Sequence, residues 1–429
     1  MADSLIKTFL NLKGNTRACV YTEPLWGLSM NLCFPYASVY MLELGLEVTQ
    51  VGLVATAFMS TQVIFSFFSG PITDKLGRRK ATAIFDSIGW CIPCLIWWRA
   101  EGFFFFFIAA LINGAMKVTV NSWDCLLIED AEKSEIPKIY SLAISMGQLC
   151  AFFAPISSIM VSKLTLVPAI RILYINAFVL MTAKVIILYL CSKETKNGTV
   201  KLKETAGKSI FHLAAGYGEI LKIISRSRGT AFSLTIAILA GGGGIVAMIN
   251  MVFWQIIVSK KLLVPDPLLP LFPVLKSIVA IIFLFFVVPR LSKGLLKLPL
   301  LAGFTSYFLG QAILILIQCD WSGKYFLLAI SLIFDGFGFG ALAMLAESLI
   351  ALHVNLAERA RVMAIQHVII MAATAPFGWI GGLLSKVSLT LPFVLNITLL
   401  LAGFFVTVFY YRKKSRLPGE INPGEDRNG

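Results

Sequence analysis

The chain has 429 residues, of which 58% are hydrophobic and only 14% charged, and its mean hydropathy is +0.82. Water-soluble globular proteins carry about 25% charged residues. This composition therefore excludes a water-soluble globular protein. The net charge of +14 comes from basic residues in short segments between apolar runs, and no nucleic-acid partner is predicted from it. The apolar runs are continuous and lack the alternation of a β-barrel, so they predict membrane-spanning α-helices.

Twelve apolar runs follow one another along the chain, each close to the roughly 20 residues that cross the hydrocarbon core of a bilayer as a helix. We number the predicted membrane helices spans one to twelve. Spans one to six cover residues 18–41, 51–70, 81–98, 103–128, 139–161 and 170–190. Spans seven to twelve cover residues 230–258, 268–288, 298–318, 325–352, 362–384 and 389–411. The pattern predicts an all-α membrane protein with two six-helix bundles, in residues 1–190 and 230–411.

A polar stretch at residues 191–229 links the two bundles, and residues 412–429 form a polar tail. In the linker, apolar residues recur at helical spacing opposite charged ones, which is typical of an amphipathic helix on a membrane surface. These apolar residues are Ile210, Leu213, Ala214, Tyr217, Leu221 and Ile224. The alternative interpretation is a disordered tether.

Basic residues are distributed unequally over the predicted loops. Of the 34 Lys and Arg residues outside the spans, 27 fall on the side that holds the N-terminus. Cytoplasmic loops carry the excess of basic residues, and the first 17 residues lack the apolar core of a secretory signal peptide. We therefore expect both termini in the cytoplasm and a multi-pass protein integral to the plasma (cytoplasmic) membrane.

The segment between spans two and three reads Gly70-Pro-Ile-Thr-Asp74-Lys75-Leu-Gly77-Arg78-Arg79-Lys80. Its two glycines permit a tight turn near a neighbouring helix, and its basic residues keep it on the cytoplasmic side. The Asp74 carboxylate is suited to the positive N-terminal end of a helix from the other bundle. Arg78 or Arg79 is suited to a carboxylate at the end of span four, such as Glu129 or Asp130.

This segment resembles the Gly-x-x-x-Asp-Arg/Lys-x-Gly-Arg/Lys-Arg/Lys loop of the major facilitator superfamily, and it lies in the same interhelical loop. The resemblance implies two helical bundles, solute transport and a latch that holds the bundles together on the cytoplasmic side in the outward-facing state. The latch residues are then Gly70, Asp74, Lys75, Gly77, Arg78 and Arg79, with Glu129 and Asp130 as partners. Span four has Lys117 where many proton-coupled members have Arg. Span five lacks the Gly-Pro pair of the antiporters, so export by exchange is not supported.

Polar residues inside the spans mark the predicted substrate pathway, because a charge near the middle of a bilayer costs about 2.5–3.5 kcal/mol on insertion scales. Nearest the midplane, counted along each helix, lie Lys117, Lys276 and Asp335. By the resemblance, spans one, four, seven and ten line the central pathway. The further residues of spans one, four and seven that we assign to it are Glu23, Asn31, Asn113, Asn121, Asp124, Asn250 and Gln255.

A structural interpretation of the charged residues stays open. Lys117 can form a static ion pair that fixes helix packing, either with Asp124 in the same span or with Asp335 across the pathway. Asp86 and Lys184 lie near the cytoplasmic ends of spans three and six. We interpret them as a structural pair or as side chains that extend to the interface.

Together these features predict a secondary active transporter of a small solute that works by alternating access, with protons as the candidate coupling ion. Its expected partners are the lipid bilayer and a small-molecule substrate, and it is expected to be a monomer. No cofactor and no metal are predicted, since the three histidines have no metal-binding spacing. The alternatives are a passive facilitator of the same fold, a membrane-embedded enzyme and a non-transporting receptor. No nucleophile or phosphate-binding motif supports an enzyme.

Overall fold

The computed structural model of the chain describes residues 2–132, 135–211, 228–282, 296–353 and 359–414. Apart from turns and short connections these residues are helical, and they contain no β-strand. Ten helical segments in these ranges are long and apolar enough to cross a membrane. They correspond to predicted spans two to seven and nine to twelve, so the all-α prediction is confirmed for the described part of the chain.

We group the helices by their place in the chain into an N-terminal half and a C-terminal half, with a short linker helix between them in sequence. The N-terminal half consists of α1 (Ala2–Asn11), α2 (Gly14–Cys33), α3 (Ala37–Glu43), α4 (Val48–Leu76), α5 (Arg78–Asp86), α6 (Ile92–Trp98), α7 (Phe103–Asn113), α8 (Met116–Ile128), α9 (Ile136–Cys150), α10 (Ala154–Leu164) and α11 (Leu166–Cys191). The linker helix is α12 (Lys196–Glu204). The C-terminal half consists of α13 (Arg228–Ala240), α14 (Ile245–Ile256), α15 (Leu271–Ile282), α16 (Lys297–Leu316), α17 (Lys324–His353), α18 (Arg359–Thr374), α19 (Pro376–Val387) and α20 (Leu391–Lys414).

Two of the twelve predicted spans are not among the ten segments that are both long and apolar enough to cross a membrane. Span one is divided into α2 and α3 by a 3₁₀ turn at Phe34–Tyr36, where Pro35 cannot continue the hydrogen-bond pattern of α2. Span eight is described as α15 up to Ile282, and its remainder lies outside the described residues. The count of twelve crossings therefore stays a prediction.

Several other spans are interrupted helices, and glycines lie at the interruptions of spans seven and four. Span seven breaks between α13 and α14 at Gly241–Gly244, because four successive glycines provide no side chains to stiffen the helix. Span four breaks at Gly114 and Ala115, where a Cβ on Gly114 would lie 2.2 Å from Oγ1 of Thr61 in α4. The break in span four thus coincides with a close approach of α4.

The linker contains a short helix that the sequence interpretation did not include. Thr195 is the N-cap of α12, and its Oγ1 accepts a hydrogen bond of 2.8 Å from the backbone N–H of Gly198. The amphipathic helix predicted further along the linker falls mostly on residues 212–227, outside the described residues.

Candidate transport site and gates

A cavity of about 270 Å³ lies among α14, α15, α16 and α17 of the C-terminal half. Four predicted pathway residues line it, which are Asn250, Gln255, Lys276 and Asp335. The rest of its wall is largely apolar and aromatic, and includes Met251, Trp254, Phe272, Tyr307 and Phe339. A concave apolar site with a few converging polar groups is the usual form of a small-molecule site.

The charged residues of this cavity form an ion pair. Lys276 Nζ lies 2.7 Å from Asp335 Oδ2. The lysine side chain is 34% exposed, whereas that of Asp335 is 3% exposed. Lys276 Nζ also lies 5.4 Å from the ring centroid of Trp254, within the range of a cation–π contact. The ammonium therefore faces the cavity, and the carboxylate lies behind it.

A buried layer of hydrogen bonds supports Asp335 from behind. Gln311 Nε2 donates to Asp335 Oδ1 and to Asn250 Oδ1, the latter over 3.2 Å. Asn250 Nδ2 donates to the Tyr307 hydroxyl over 2.9 Å, and Asn396 Nδ2 donates to Gln311 Oε1 over 3.0 Å. Buried polar groups are costly unless they are hydrogen-bonded, so this layer fixes the orientation of the carboxylate.

Glycines determine how deeply Asp335 is buried. A Cβ on Gly310 of α16 would lie 2.7 Å from the backbone nitrogen of Asp335, and one on Gly338 of α17 would lie 2.5 Å from the backbone nitrogen of Tyr307. The backbones of α16 and α17 are therefore in direct contact at this level. The Asp335 carboxylate therefore lies at the inner side of the cavity wall, where it pairs with Lys276.

The sequence interpretation of Lys117 as a static ion-pair partner is wrong for this conformation. Among the described residues Lys117 makes no salt bridge, and Asp335 pairs with Lys276 of its own half. Lys117 and Asp124 stand seven residues apart in span four, a rise of about 10 Å along a helix, which is too far for a direct pair.

The predicted polar residues of the N-terminal half do not line this cavity. Asn113 is the clearest exception to the predicted polar face of span four, since it is 4% exposed and donates to the backbone oxygen of Gly89 in span three. Asn121 donates to Thr73 Oγ1 of α4 over 3.1 Å, and Asn31 donates to the backbone oxygen of Gly147 over 3.4 Å. These amides hold helices of the same half together.

Three charged pathway candidates of the N-terminal half have no such partner. Lys117, Glu23 and Asp124 are partly buried, and none of their side chains makes a hydrogen bond or salt bridge with another described residue. Their assignment to the pathway stays a prediction.

Asp86 and Lys184 form a buried pair, as one of the two sequence interpretations expected. Lys184 Nζ lies 3.3 Å from Asp86 Oδ2, and the two side chains are 5% and 1% exposed. The pair connects α5 to α11.

The predicted contact of Arg78 with Glu129 is present at the end of the molecule that the predicted orientation places in the cytoplasm. Arg78 donates from Nε and Nη2 to Glu129 over 3.0–3.2 Å, and from Nη1 to Asp74 over 2.9 Å. Asp74 thus pairs within its own half in this conformation. Its predicted contact with a helix of the other bundle stays a prediction for another state.

The first residues of the linker also contact Arg78, Arg79 and Glu129. The sequence analysis did not predict these contacts. The Glu194 carboxylate accepts the backbone N–H groups of Arg78 and Arg79 over 2.9 and 3.2 Å, and so caps the N-terminus of α5. Thr195 and Asn197 donate to Glu129. Burial alone would raise the pKa of Glu129, but the hydrogen bonds from Arg78, Thr195 and Asn197 lower it overall below its ordinary value.

The remaining motif residues also contact the linker and the end of span six. Arg79 donates from Nε and Nη2 to the backbone oxygen of Tyr189, and its guanidinium lies 4.0 Å from the Tyr189 ring centroid. Lys75 Nζ donates to the backbone oxygen of Lys208 over 2.8 Å. Asp130 accepts from Asn15 Nδ2 over 3.2 Å and from the backbone N–H of Lys196 over 3.3 Å. We call the motif, Glu129, Asp130 and residues 194–198 the inner cluster.

Only one of the two motif glycines makes the expected turn. Gly77 has φ of +83°, and a Cβ there would lie 2.5 Å from Glu194 Oε2. Gly70 lies inside α4, which continues to Leu76. The turn prediction is therefore wrong for Gly70, because α4 extends six residues further than the apolar run that predicted span two.

At the opposite end of the molecule, α4 packs against α19 of the other half. A Cβ on Gly52 would lie 2.3 Å from the backbone oxygen of Gly378. Thr56 Oγ1 donates to the backbone oxygen of Ala375 and accepts the N–H of Trp379, each over 2.8 Å. We call this contact the outer seam.

Exposed ion pairs lie beside the outer seam. Lys260 Nζ lies 2.7 Å from Glu43 Oε1, and Lys386 Nζ lies 3.8 Å from Glu47 Oε2. Each pair joins one half to the other. Because all four side chains are largely exposed, the pairs add little to the stability of the seam.

Sequence reasoning missed Trp254 and Tyr307 in the cavity wall, Gln311 and Asn396 in the layer behind Asp335, and Glu194 in the inner cluster. Gln311 and Asn396 stand alone in apolar runs of spans nine and twelve, so amides in such runs were the available signal. Glu194 directly precedes the Thr195 cap, so an acidic residue near a helix start was the signal there.

Comparisons with known proteins place the sequence in context. A family model described as Major Facilitator Superfamily matches residues 25–318. Among curated proteins, the chain is 24% identical over 132 residues to an uncharacterized MFS-type transporter, YqjV, of Bacillus subtilis (strain 168). It is 39% identical over 57 residues to the quinolone resistance protein NorA of Staphylococcus aureus. The matches cover 30% and 13% of this chain but only 32% and 15% of these relatives.

Solved structures of similar fold cover almost the whole chain. The nucleoside transporter NupG gives a TM-score of 0.71 at 15% identity, over 93% of this chain and 100% of that one. A POT family transporter in complex with 5-aminolevulinic acid gives 0.67 at 14% identity, over 94% and 96%. The human organic anion transporter MFSD10 (TETRAN) gives 0.60 at 14% identity, over 91% and 98%. At these identities the similarity concerns the fold alone.

Proposed function

The chain belongs to the Major Facilitator Superfamily, a family of membrane transporters and not of enzymes, and on that premise we propose that it is a secondary active transporter of a small solute. The observation that carries the proposal is the cavity at Lys276 and Asp335. Ionisable groups inside membrane spans are costly, and in transporters they mark the path of a substrate or a coupling ion.

Alternating access is the proposed mechanism. In the predicted orientation the outer seam faces the extracellular side, and Asp74 of the inner cluster pairs within its own half. This arrangement supports an inward-facing state in which the halves are in contact outside. In the outward-facing state the seam would separate, and Asp74 would leave Arg78 for the other half.

A proton is the proposed coupling ion, and Asp335 is its proposed carrier. Lys276 and Tyr307 are the titratable side chains that face Asp335 in the described structure, and Lys276 compensates its charge. When a solute binds the Lys276 ammonium, the Asp335 carboxylate would remain buried without a cation. Because an unpaired buried charge is strongly disfavoured, Asp335 would then bind a proton from the cavity water.

The test is uptake by the purified protein in liposomes with an imposed pH gradient, followed with labelled solutes and a trapped pH-sensitive dye. The panel holds sugars, amino acids, nucleosides, peptides, organic anions and lipophilic cations. We expect one class to enter together with protons. Lys117→Ala and Asp335→Asn are expected to lower this uptake about tenfold or more, since each removes a charged group of the pathway.

The matched controls are Lys163→Ala and Asp320→Asn, which remove exposed charges and should retain uptake. The amount of each variant in the membrane is measured to exclude failed insertion. Full uptake by both pathway variants would contradict the site. Solute entry without proton movement would support a passive facilitator, and entry no faster than into empty liposomes for the whole panel would contradict a transporter.

A further inference from the structure

Lys276 is the charged group that a solute in the cavity meets first, because its side chain is 34% exposed and that of Asp335 only 3%. An ammonium has three N–H donors. Among the described residues only Asp335 accepts a hydrogen bond from it. Free donors facing a largely apolar cavity favour an anionic acceptor, since charge-assisted hydrogen bonds are stronger than those between neutral groups.

Asp335 is poorly placed to receive a cationic solute. Its Oδ2 accepts from Lys276 and its Oδ1 accepts from Gln311. A cationic group would have to displace the ammonium and would then lie beside it, and like charges at this distance repel. The geometry therefore favours a negatively charged solute, although the pair of Lys276 and Asp335 has no net charge.

The walls of the cavity indicate the body of the solute. Trp254 and Phe272 meet edge to face with ring centroids 5.3 Å apart, and Phe339 and Met251 continue the apolar surface. Flat apolar walls favour an aromatic ring. The volume of about 270 Å³ lies below the roughly 300–1,000 Å³ of common ligand pockets, so the solute is small.

One cation limits the charge of the solute. Within the described chain, Lys276 is the one basic residue that lines the cavity. A second carboxylate on the solute would have no counterion and would meet Asp335. A single negative group attached to an apolar ring fits this distribution of charge.

From these contacts we propose that the solute is a small aromatic monocarboxylate, whose carboxylate binds the Lys276 ammonium in place of Asp335. This inference rests on the proposed transport function and assigns its substrate class. Asp335 is then a competitor built into the site: it occupies the lysine in the empty cavity and releases it when the solute binds. Gln311 holds the released carboxylate in position.

The experiment compares matched ligands by isothermal titration calorimetry on the purified full-length protein. The carboxylates are benzoate, phenylacetate and indole-3-acetate. Each is paired with its amide and with an amine of similar size, namely benzylamine, phenethylamine and tryptamine. At least one carboxylate is expected to bind, with its amide weaker by about tenfold or more and its amine without measurable binding. This comparison needs no variant.

Two substitutions test the competition. Lys276→Gln is expected to weaken carboxylate binding about tenfold or more. Asp335→Asn is expected to tighten it several-fold, because the competing carboxylate is gone, whereas general damage to the site would weaken it. Lys163→Gln and Asp320→Asn remove exposed charges and should leave binding unchanged. Size-exclusion profiles of all variants establish that they fold.

The proposal is overturned if no carboxylate binds more tightly than its amide, if Lys276→Gln leaves the affinity unchanged, or if folded Asp335→Asn binds more weakly. Should the carboxylates fail while liposomes take up another class of solute, only the substrate class is wrong. Should the carboxylates bind as expected while no solute enters liposomes, only the transport proposal is wrong.

Discussion

Glu129 is the residue at which the motif loop and the linker meet. Its carboxylate accepts hydrogen bonds from Arg78, Thr195 and Asn197, and its side chain is 14% exposed. These bonds lower its pKa below the ordinary value in spite of burial. The folded protein is therefore stabilised by the ionised form of Glu129.

Glu129→Gln is expected to reduce stability by roughly 2–3 kcal/mol, between the values for breaking exposed and fully buried ion pairs. Because the pKa is depressed in the folded state, this contribution is complete above the unfolded-state pKa of about 4.3 and is lost as the pH falls through the folded pKa. Thermal unfolding in detergent should show a lower midpoint for the variant at pH 7, and a smaller difference in acid.

The control for this substitution is Glu132→Gln, an exposed acid of the same loop. It should unfold as the unchanged protein does. Equal midpoints for Glu129→Gln and the unchanged protein at neutral pH would show that the contacts of Glu129 contribute nothing.

Charged residues of the cavity could be identified from the sequence more readily than uncharged polar ones. Lys276 and Asp335 were identified because ionised groups inside apolar runs are rare and costly. Their pairing with each other was not predicted, since it depends on the rotation of α15 against α17. Gln311 and Asn396 were missed because an amide in a span gives a weaker signal than a charge. Asn113 was assigned to a polar face, yet a hydrogen bond to a neighbouring helix satisfies it.

The packing of α4 against α19 closes one end of the molecule, which is the outer end in the proposed orientation. Gly52 and Gly378 allow the two backbones to touch, and Thr56 adds hydrogen bonds across the contact. In the outward-facing state proposed above these helices would part. A side chain added at the contact should therefore destabilise the inward-facing state alone.

Gly52→Ala is expected to shift the protein toward the outward-facing state, because the new methyl group would lie 2.3 Å from a backbone oxygen. Overpacking of this kind costs about 1–3 kcal/mol. The measurement is labelling of Met251→Cys, which lines the cavity, by an impermeant maleimide applied to the outside of vesicles. The exposed Cys191 and Cys319 are replaced by Ser beforehand.

Labelling from outside should rise several-fold in the Gly52→Ala protein. Gly147→Ala is the matched control within another membrane helix, because a Cβ at Gly147 would have no neighbour within 4 Å. Unchanged outside labelling of Gly52→Ala would show that the outer seam does not govern access to the cavity.

The sequence was sufficient to predict which segments form membrane helices. It predicted the interruptions of those helices only in part. Apolar runs of sufficient length gave the membrane segments. The glycine run at Gly241–Gly244 was a local signal for a break. The break at Gly114 coincides with the close approach of Thr61 from α4, and the sequence of span four alone does not reveal that approach. Likewise, α12 is stabilised by contacts with Glu129 and Asp130, far away in sequence.

The topology of the whole molecule is testable independently of its substrate. The predicted arrangement has twelve crossings with both termini in the cytoplasm. Epitope tags at the two ends should be protected from protease added to intact cells. A tag in the loop between α16 and α17, at Gly323, should be digested. Digestion of either terminal tag in intact cells would contradict the predicted orientation.

Composition and one ten-residue motif were sufficient to predict the family, because both are properties of the chain as a whole or of a single loop. The conformational state was not predictable. In the proposed mechanism the same sequence supports two packings of its halves, and the contacts of the outer seam and the inner cluster are expected to differ between them.

The neutral pair of Lys276 and Asp335 has an electrical consequence. A unit charge that crosses a membrane potential of 100 mV exchanges about 2.3 kcal/mol with the field. The ammonium and the carboxylate lie 2.7 Å apart, so together they carry no net charge. When the empty cavity opens to the other side of the membrane, the pair therefore moves no net charge across the membrane potential. In the proposed transport cycle, this part of the molecule would therefore add no voltage dependence to the return of the unloaded protein.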